Sequence, residues 1–338
     1  MSLQASGINS NGSLLYGVLG LTTTSAAVLI PATQIQPLYG VTIGYGAAMA
    51  AMGVALQCSG LPPSSHYRSP TLANSLTAAL ICYGTRLSLF LWLRQALQWR
   101  PTSTTTKNEK GDTAAAHSKM NDMSRWKRIP FALSLSLFYA CLATPVLFVV
   151  AANGGGDDKR TAKGSTAAVT TATNTITTRL VLQTVGVLLA WGGLLIESIA
   201  DGHKSWVKSS ARSSSTKDND PKNNNDTDSK FVGPTGGLYG IVRHPNYLGE
   251  VLFYTGLCVT AVPSLGTSLT GWICSTMGWT GITSLMRGST RKLVDKQNQR
   301  YGGQEAFETW KRRVPYPWIP FVKEASPTTT ATKNQKTD

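Results

Sequence analysis

Residues 180–208 read LVLQTVGVLLAWGGLLIESIADGHKSWVK, and the change of character along this stretch decides the fold. From Leu180 to Ala200 it is almost wholly apolar, over the roughly 20 residues that an α-helix needs to cross a bilayer. Its end is different. Glu197, Asp201, Lys204 and Lys208 succeed one another at spacings of four, three and four, which return to one side of a helix. Two carboxylates one turn apart repel each other, and near a membrane they are costly unless cations or a ligand compensate. Two readings of the stripe stand. Either the helix has emerged into water with Asp201 and Lys204 as a solvated pair, or the stripe is a polar wall that meets a cofactor. His203 points to the other side and suits the membrane interface better than catalysis.

The same alternation runs through the rest of the chain. Its 338 residues are 42% hydrophobic and 14% charged, and a mean hydropathy of −0.07 would suit a soluble protein. That average hides long apolar runs cancelled by loops of Ser, Thr, Asn, Lys and Asp. Windows of roughly 19 residues give seven spans: Ser13–Pro31, Pro37–Gln57, Leu72–Leu97, Ile129–Ala152, Leu180–Ala200, Tyr247–Leu265 and Thr267–Leu285. The first and the last two are diluted by Thr, Gly and Ser. The expected fold is therefore all-α, a polytopic membrane helix bundle of about seven transmembrane helices with a C-terminal interfacial helix. In this organisation 13–100 holds spans one to three, 101–128 a disordered basic loop, and 129–200 spans four and five. A polar disordered loop over 201–235, a motif region with the last two spans over 236–322, and a disordered tail over 323–338 complete it. Pro101–Lys119, Asn153–Thr178 and Ser209–Lys230 are too polar to bury a core. By contrast GYGAAMAAMG, Gly44–Gly53, marks a face for close helix packing. Ser2–Ser10 carries no charge, so the first span is expected to be a retained helix rather than a signal peptide.

Lys and Arg outnumber Asp and Glu by 32 to 17, a formal net charge of +15. These cations sit at the ends of apolar runs and in polar loops without interleaved aromatics, which argues against nucleic acid and for anionic lipid headgroups. Arg94, Arg100, Lys107, Lys110, Lys119, Arg125, Lys127 and Arg128 follow the third span, against Glu109, Asp112 and Asp122. With basic loops facing the cytosol, an odd number of spans leaves the N-terminus outside and the C-terminus cytosolic. Cys58, Cys82, Cys141, Cys258 and Cys274 are scattered with no CxxC pair, so neither a metal site nor a disulfide is expected.

Three further stretches carry polar groups on apolar helices. Residues 236–256 read GGLYGIVRHPNYLGEVLFYTG. Gly236 and Gly237 break the preceding loop, and Pro245 suits a first helical turn, where no amide partner is lost. Asn246, Glu250 and Tyr254 then share a face, with Tyr247 beside them and Arg243 and His244 just before the helix. The set suits a polar ligand head; alternatively Glu250 and Arg243 pair with each other or with a neighbouring helix. In the third span, ICYGTRLSLFLWLRQAL over 81–97, Tyr83, Arg86 and Arg94 recur on one side. Arg94 either snorkels to headgroups or binds a ligand. Arg86 lies about two turns deeper and needs an anion: Glu197, Asp201, Glu250 or a phosphate, which its planar fork grips at two points. The C-terminal RKLVDKQNQRYGGQEAFETWKRRVPYPWIPF, 291–321, is basic and amphipathic. It forms an interfacial helix anchored by Trp310, Tyr316 and Trp318, or folds its cations over the ligand, and the two are compatible.

RHPNYLGE at 243–250, GLYGIV before it and the ending YPWIPF resemble the steroid 5-alpha-reductase C-terminal superfamily, and above all its DUF1295 branch. In that branch an E-x-x-A-D-x-x-K helix end precedes the histidine-proline motif; here it reads Glu197, Ala200, Asp201, Lys204. The likeness runs from Leu72 to Pro320 outside the loops, and the third span shares it. It implies a seven-helix membrane fold that binds NADPH from the cytosolic side, in the endoplasmic reticulum. Carried over by position, Glu197, Asp201, Lys208, Asn246, Tyr247 and Glu250 would meet the cofactor, with Lys204 and Arg86 in the same cofactor-binding set. Arg94, Arg243 and His244 would contact phosphate or ribose, and Tyr301 sits near a C-terminal cofactor-contacting Tyr. Tyr83 falls where steroid 5-alpha reductases keep a Tyr that polarises the enone carbonyl. Those enzymes pair it with Gln-Glu at the end of the second span, whereas here Gln57 is followed by Cys58.

The leading expectation is an NADPH-dependent reductase of a C=C bond in a lipid-soluble, steroid-, fatty-acyl- or isoprenoid-like substrate. The alternative is a membrane methyltransferase using S-adenosylmethionine, of the isoprenylcysteine or phospholipid type, whose RHPxYxG segment holds the methyl donor. Such enzymes usually carry a paired-Glu motif near the C-terminus, where this chain has isolated Asp295, Glu305 and Glu308. A non-catalytic scaffold or lipid-binding protein is the third reading.

Overall fold

A computed structural model describes residues 10–59, 70–98, 123–154, 166–215 and 231–322. The expected loop at 101–119 and tail at 326–338 lie outside the described residues, as do 155–165 and 216–230 of the other two loops. Among the described residues the chain forms eight α-helices and no strand: α1 Ser10–Ile35, α2 Ile43–Ser59, α3 Pro70–Gln98, α4 Arg125–Gly154, α5 Thr166–Ser215, α6 Pro245–Leu265, α7 Leu269–Tyr301 and α8 Glu305–Arg313. Five of them are long and apolar enough to cross a membrane, over Leu15–Ile35, Leu72–Ala96, Arg125–Ala152, Thr177–Ala211 and Pro245–Leu265.

The other two expected spans exist as helices but fall short of that standard. Pro37–Val41 is a 3-10 turn, which leaves α2 only 17 residues, about 26 Å of rise against a hydrocarbon layer of about 30 Å. The seventh continues as α7 to Tyr301, well past Leu285. Ser, Thr and Gly dilute it, yet Leu269, Trp272, Ile273, Met277 and Leu285 are exposed along its first half, a face that water would penalise and lipid would not. The fifth helix differs most. It begins at Thr166 and ends at Ser215, so parts of both flanking segments, read from sequence as loops, are helical. Polar composition did not stop it, because a helix that satisfies its own backbone can continue into water with polar side chains.

Threonine and serine are tolerated in the spans because their hydroxyls find carbonyls on their own helix. Thr22 donates to the Val18 carbonyl at 2.9 Å, Thr144 to Ala140 at 2.8 Å and Thr260 to Gly256 at 2.8 Å. This back-bonding removes the unpaired donor that hydrocarbon would penalise.

The chain divides into two compact units, one of Met1–Leu194 and Val251–Ser284, the other of Leu195–Glu250 and Leu285–Asp338. Glycines set the helix contacts in the first. A Cβ at Gly84 of α3 would fall on the backbone of Gly46 and Ala50 of α2, and one at Gly46 would lie 2.6 Å from the Gly84 carbonyl oxygen. The GYGAAMAAMG face is thus packed as its small residues indicate. Gly186 and Gly256 join α5 and α6 in the same way, and a Cβ on Gly278 of α7 would lie 2.8 Å from the Cys141 backbone of α4. Arg128 ties the start of α4 to the end of α1, donating from Nη1 to the Gln34 carbonyl at 3.0 Å, one of the carbonyls a helix end leaves unpaired.

Gly84→Ala should destabilise the protein by about 1–3 kcal/mol, since backbone rather than a flexible side chain occupies the space. Gly192→Ala, with nothing within 4 Å of its Cβ position, should be neutral or stabilise by up to about 1 kcal/mol. Thermal unfolding of both variants in detergent compares them directly.

Candidate functional site

The second unit is built around a small aromatic core. Ala200 on α5, Tyr239 in the 3-10 turn Gly237–Gly240, and Phe307, Trp310 and Val314 around α8 are buried together, with Phe231, Leu238 and Tyr301 packed against them. The Tyr239 hydroxyl donates to the Ala200 carbonyl at 3.2 Å, and the Trp310 indole donates to the Tyr239 carbonyl at 3.0 Å. Trp310, expected as a headgroup anchor, is only 4% exposed; the amphipathic pattern of α8 turns its aromatic face onto Tyr239 and leaves Arg312 and Arg313 outside. The His203 ring packs edge-on to Tyr239 at 5.8 Å. Gly237 holds a φ of +59°, a left-handed conformation that favours glycine and starts the turn carrying Tyr239.

Two motifs distant in sequence are hydrogen-bonded backbone to backbone. The Arg243 amide donates to the Tyr316 carbonyl at 3.0 Å, and the His244 amide to the Pro317 carbonyl at 2.8 Å. These amides precede α6 and have no helical partner, so the YPWIPF ending satisfies them and fixes the RHPN segment.

The ionisable groups of this unit sit under strong mutual influence. Glu197, Arg243, His244 and Glu250 are all buried; Asp201, Lys204, Asn246 and Tyr247 are half-buried. The Tyr239 hydroxyl is held well above its ordinary range by burial first, then by Asp201 and Tyr247. The His244 imidazole is lowered to about 3, by burial first and then by Lys204 and Arg243. Asp201 and Lys204 of the α5 stripe therefore act electrostatically on the GLYGIVRHPNY segment. His244 is neutral at physiological pH, and its Nε2 is a buried atom with no hydrogen-bond partner among the described residues.

Not every expected site residue joins this group. Lys208 is exposed beyond the stripe. Tyr301 lies in the aromatic core, 5.3 Å from Phe231 and 5.9 Å from Phe307. Tyr83, Arg86 and Arg94 belong to the first unit. There Arg94 is exposed and Arg86 half-buried, while Tyr83 is fully buried, stacked on Phe253 at 4.4 Å with its hydroxyl 3.1 Å from that of Tyr45. Gln57 is engaged by Thr77, which donates to its amide oxygen, and by Asn74, which accepts from its amide nitrogen at 3.2 Å. Tyr239 and Tyr45 went unremarked in the sequence, although the first stands inside the GLYG turn and the second inside the small-residue face. A cleft of about 530 Å³ over Phe231, Thr235, Glu305, Trp310 and Arg313 takes in none of the expected cofactor-binding residues.

A buried neutral imidazole makes the unfolded chain bind more protons than the folded one between pH 6.5 and about 3. Stability therefore falls as pH falls through that window. Moving from pH 7.5 to 5 should cost the parent up to ~2 kcal/mol through this group. His244→Gln should show a correspondingly shallower loss in melts at the two pH values; parallel losses would remove His244 from the account.

No curated protein and no solved structure matches the chain. Residues 164–314, which hold the α5 stripe, the Tyr239 turn, the RHPN segment and α8, match the family model described as Protein of unknown function (DUF1295), the branch that the chain's own motifs resemble.

Proposed function

We propose that the second unit binds NADPH and that the chain is a membrane-embedded reductase of a conjugated C=C bond in a lipid-soluble substrate. The observation that carries this reading is the grouping of Asp201 and Lys204 with Tyr239, Arg243, His244 and Tyr247. The donor set fits such a cofactor. Carboxylates accept from ribose hydroxyls, Arg243 and Lys204 suit phosphates, and the buried His244 Nε2 offers a hydrogen bond still to be made. NADPH, when bound, supplies a hydride equivalent. Tyr83 would donate a hydrogen bond to the oxygen on which negative charge develops, a role favoured in surroundings that exclude water. The same reading puts the C-terminal region on the cytosolic face, where NADPH is available, and the chain in the endoplasmic reticulum.

A methyltransferase would use the same RHPNYLG segment, and Glu197, Asp201 and Glu250 would suit the cationic S-adenosylmethionine. Lys204 and Arg243 beside His244 weigh the balance toward a polyanion.

Full-length protein in detergent should gain thermal stability with NADPH and not with S-adenosylmethionine, because a ligand selective for the folded state raises the melting point. A shift with the methyl donor alone would replace the reductase reading by the other. Glu250→Gln, isosteric at a buried position, should weaken NADPH binding about tenfold or more, near 1.4 kcal/mol, while its own melting point stays close to the parent's. Undiminished binding would take Glu250 out of the site.

A further inference from the structure

Within the first unit, α7 meets α4 through a face of glycines. A Cβ added to Gly271 would lie 2.5 Å from the Phe148 ring, and one on Gly281 2.5 Å from the Phe138 ring. Between them, a Cβ on Gly278 would fall 2.8 Å from the Cys141 backbone. The pairings run in opposite order along the two helices, which are therefore antiparallel here. Cys274 stands between Gly271 and Gly278 at spacings of three and four, so it lies on the same face of α7 and is turned toward α4. There it meets a second cysteine: the Cys274 and Cys141 thiols are hydrogen-bonded to each other. Gly278, one turn on from Cys274, lets the backbone that carries Cys141 come close, which is the condition a disulfide imposes on its two chain segments.

The two thiols, both reduced in the structure, differ in access. Cys141 is 0% exposed. Cys274 is half-buried, next to Trp272, Ile273 and Met277, which are exposed on the apolar outer side of α7. A lipid-soluble reagent therefore reaches Cys274 first. Cys258 on α6 shows the contrasting case, since its thiol faces the Ser275 carbonyl at 4.0 Å rather than another sulfur. Cysteines that serve only as small hydrophobes need no such meeting of thiols.

We propose that Cys141 and Cys274 are a redox couple whose oxidation staples α4 to α7, with a lipid hydroperoxide as the oxidant. The Cys274 sulfur takes the terminal oxygen of the hydroperoxide. The O–O bond breaks, and the thiol proton leaves with the other fragment as an alcohol. Cys141 then attacks the sulfenic sulfur; the S–S bond forms as the S–O bond breaks, and the Cys141 proton completes the departing water. The two thiols lose two electrons and the O–O bond gains them, giving one disulfide, one alcohol and one water. The couple makes no use of the cofactor and does not rest on the reductase reading.

Cumene hydroperoxide, added to reduced full-length protein in detergent, tests the couple. The protein is then denatured, its remaining thiols are alkylated, and its peptides are compared by mass spectrometry with and without dithiothreitol. Peptides carrying Cys141 and Cys274 should be linked in most molecules, lighter by two hydrogens than the unlinked pair, and should separate on reduction. Cys258 should lose its alkylatable thiol at least about tenfold more slowly than Cys274. In Cys141→Ser, Cys274 should stop at a sulfenic acid that dimedone traps, in about tenfold greater yield than in the parent. If Cys141 and Cys274 both stay alkylatable at a dose that oxidises the exposed Met277, the proposal is overturned. Sulfinic acid at Cys274 with Cys141 still alkylatable in the parent overturns it as well, because Cys141 would then fail to resolve the intermediate. The parent's peptides decide the matter even if the serine variant fails to fold.

Discussion

A polar group carried into hydrocarbon is costly unless it finds its partner within the protein, and that requirement shapes the described helices. It explains the threonines that bond back to their own helices and the Arg128 side chain that closes the end of α1. It also explains why a buried tyrosine such as Tyr239 does not stand alone but holds the Ala200 carbonyl. Where such partners gather on one side of several helices, the same rule yields a place where a polar ligand can be held.

Much of this was legible in the primary structure, and the reasons are local. Apolar length gave the helices, because the bilayer sets a fixed minimum. The spacing of Glu197, Asp201 and Lys204 gave a polar stripe, because a helix fixes the angle between residues. Asp201 and Lys204 of that stripe act electrostatically on Tyr239 and His244.

What escaped was tertiary. No periodicity indicates that Trp310 turns inward, since an amphipathic helix with aromatics on one face fits a headgroup layer as well as an aromatic core. Tyr45 looked like one more member of a small-residue face until Tyr254, far along the chain, was placed beside it. The ends of α5 are hard to read from sequence for another reason. Ser, Thr and Lys mark segments unable to form a core, but a single helix needs no core to continue once an apolar middle has nucleated it. Over 50 residues it rises about 75 Å, more than twice the hydrocarbon thickness.

The amides of Arg243 and His244 are satisfied by the carbonyls of Tyr316 and Pro317, and this has a consequence for biosynthesis. A ribosome delivers the RHPN segment long before the residues that anchor it. The apolar helices preceding the anchor can therefore enter the bilayer while this region is still unfinished. The backbone of the RHPN segment is therefore fully paired only after the YPWIPF stretch has been made.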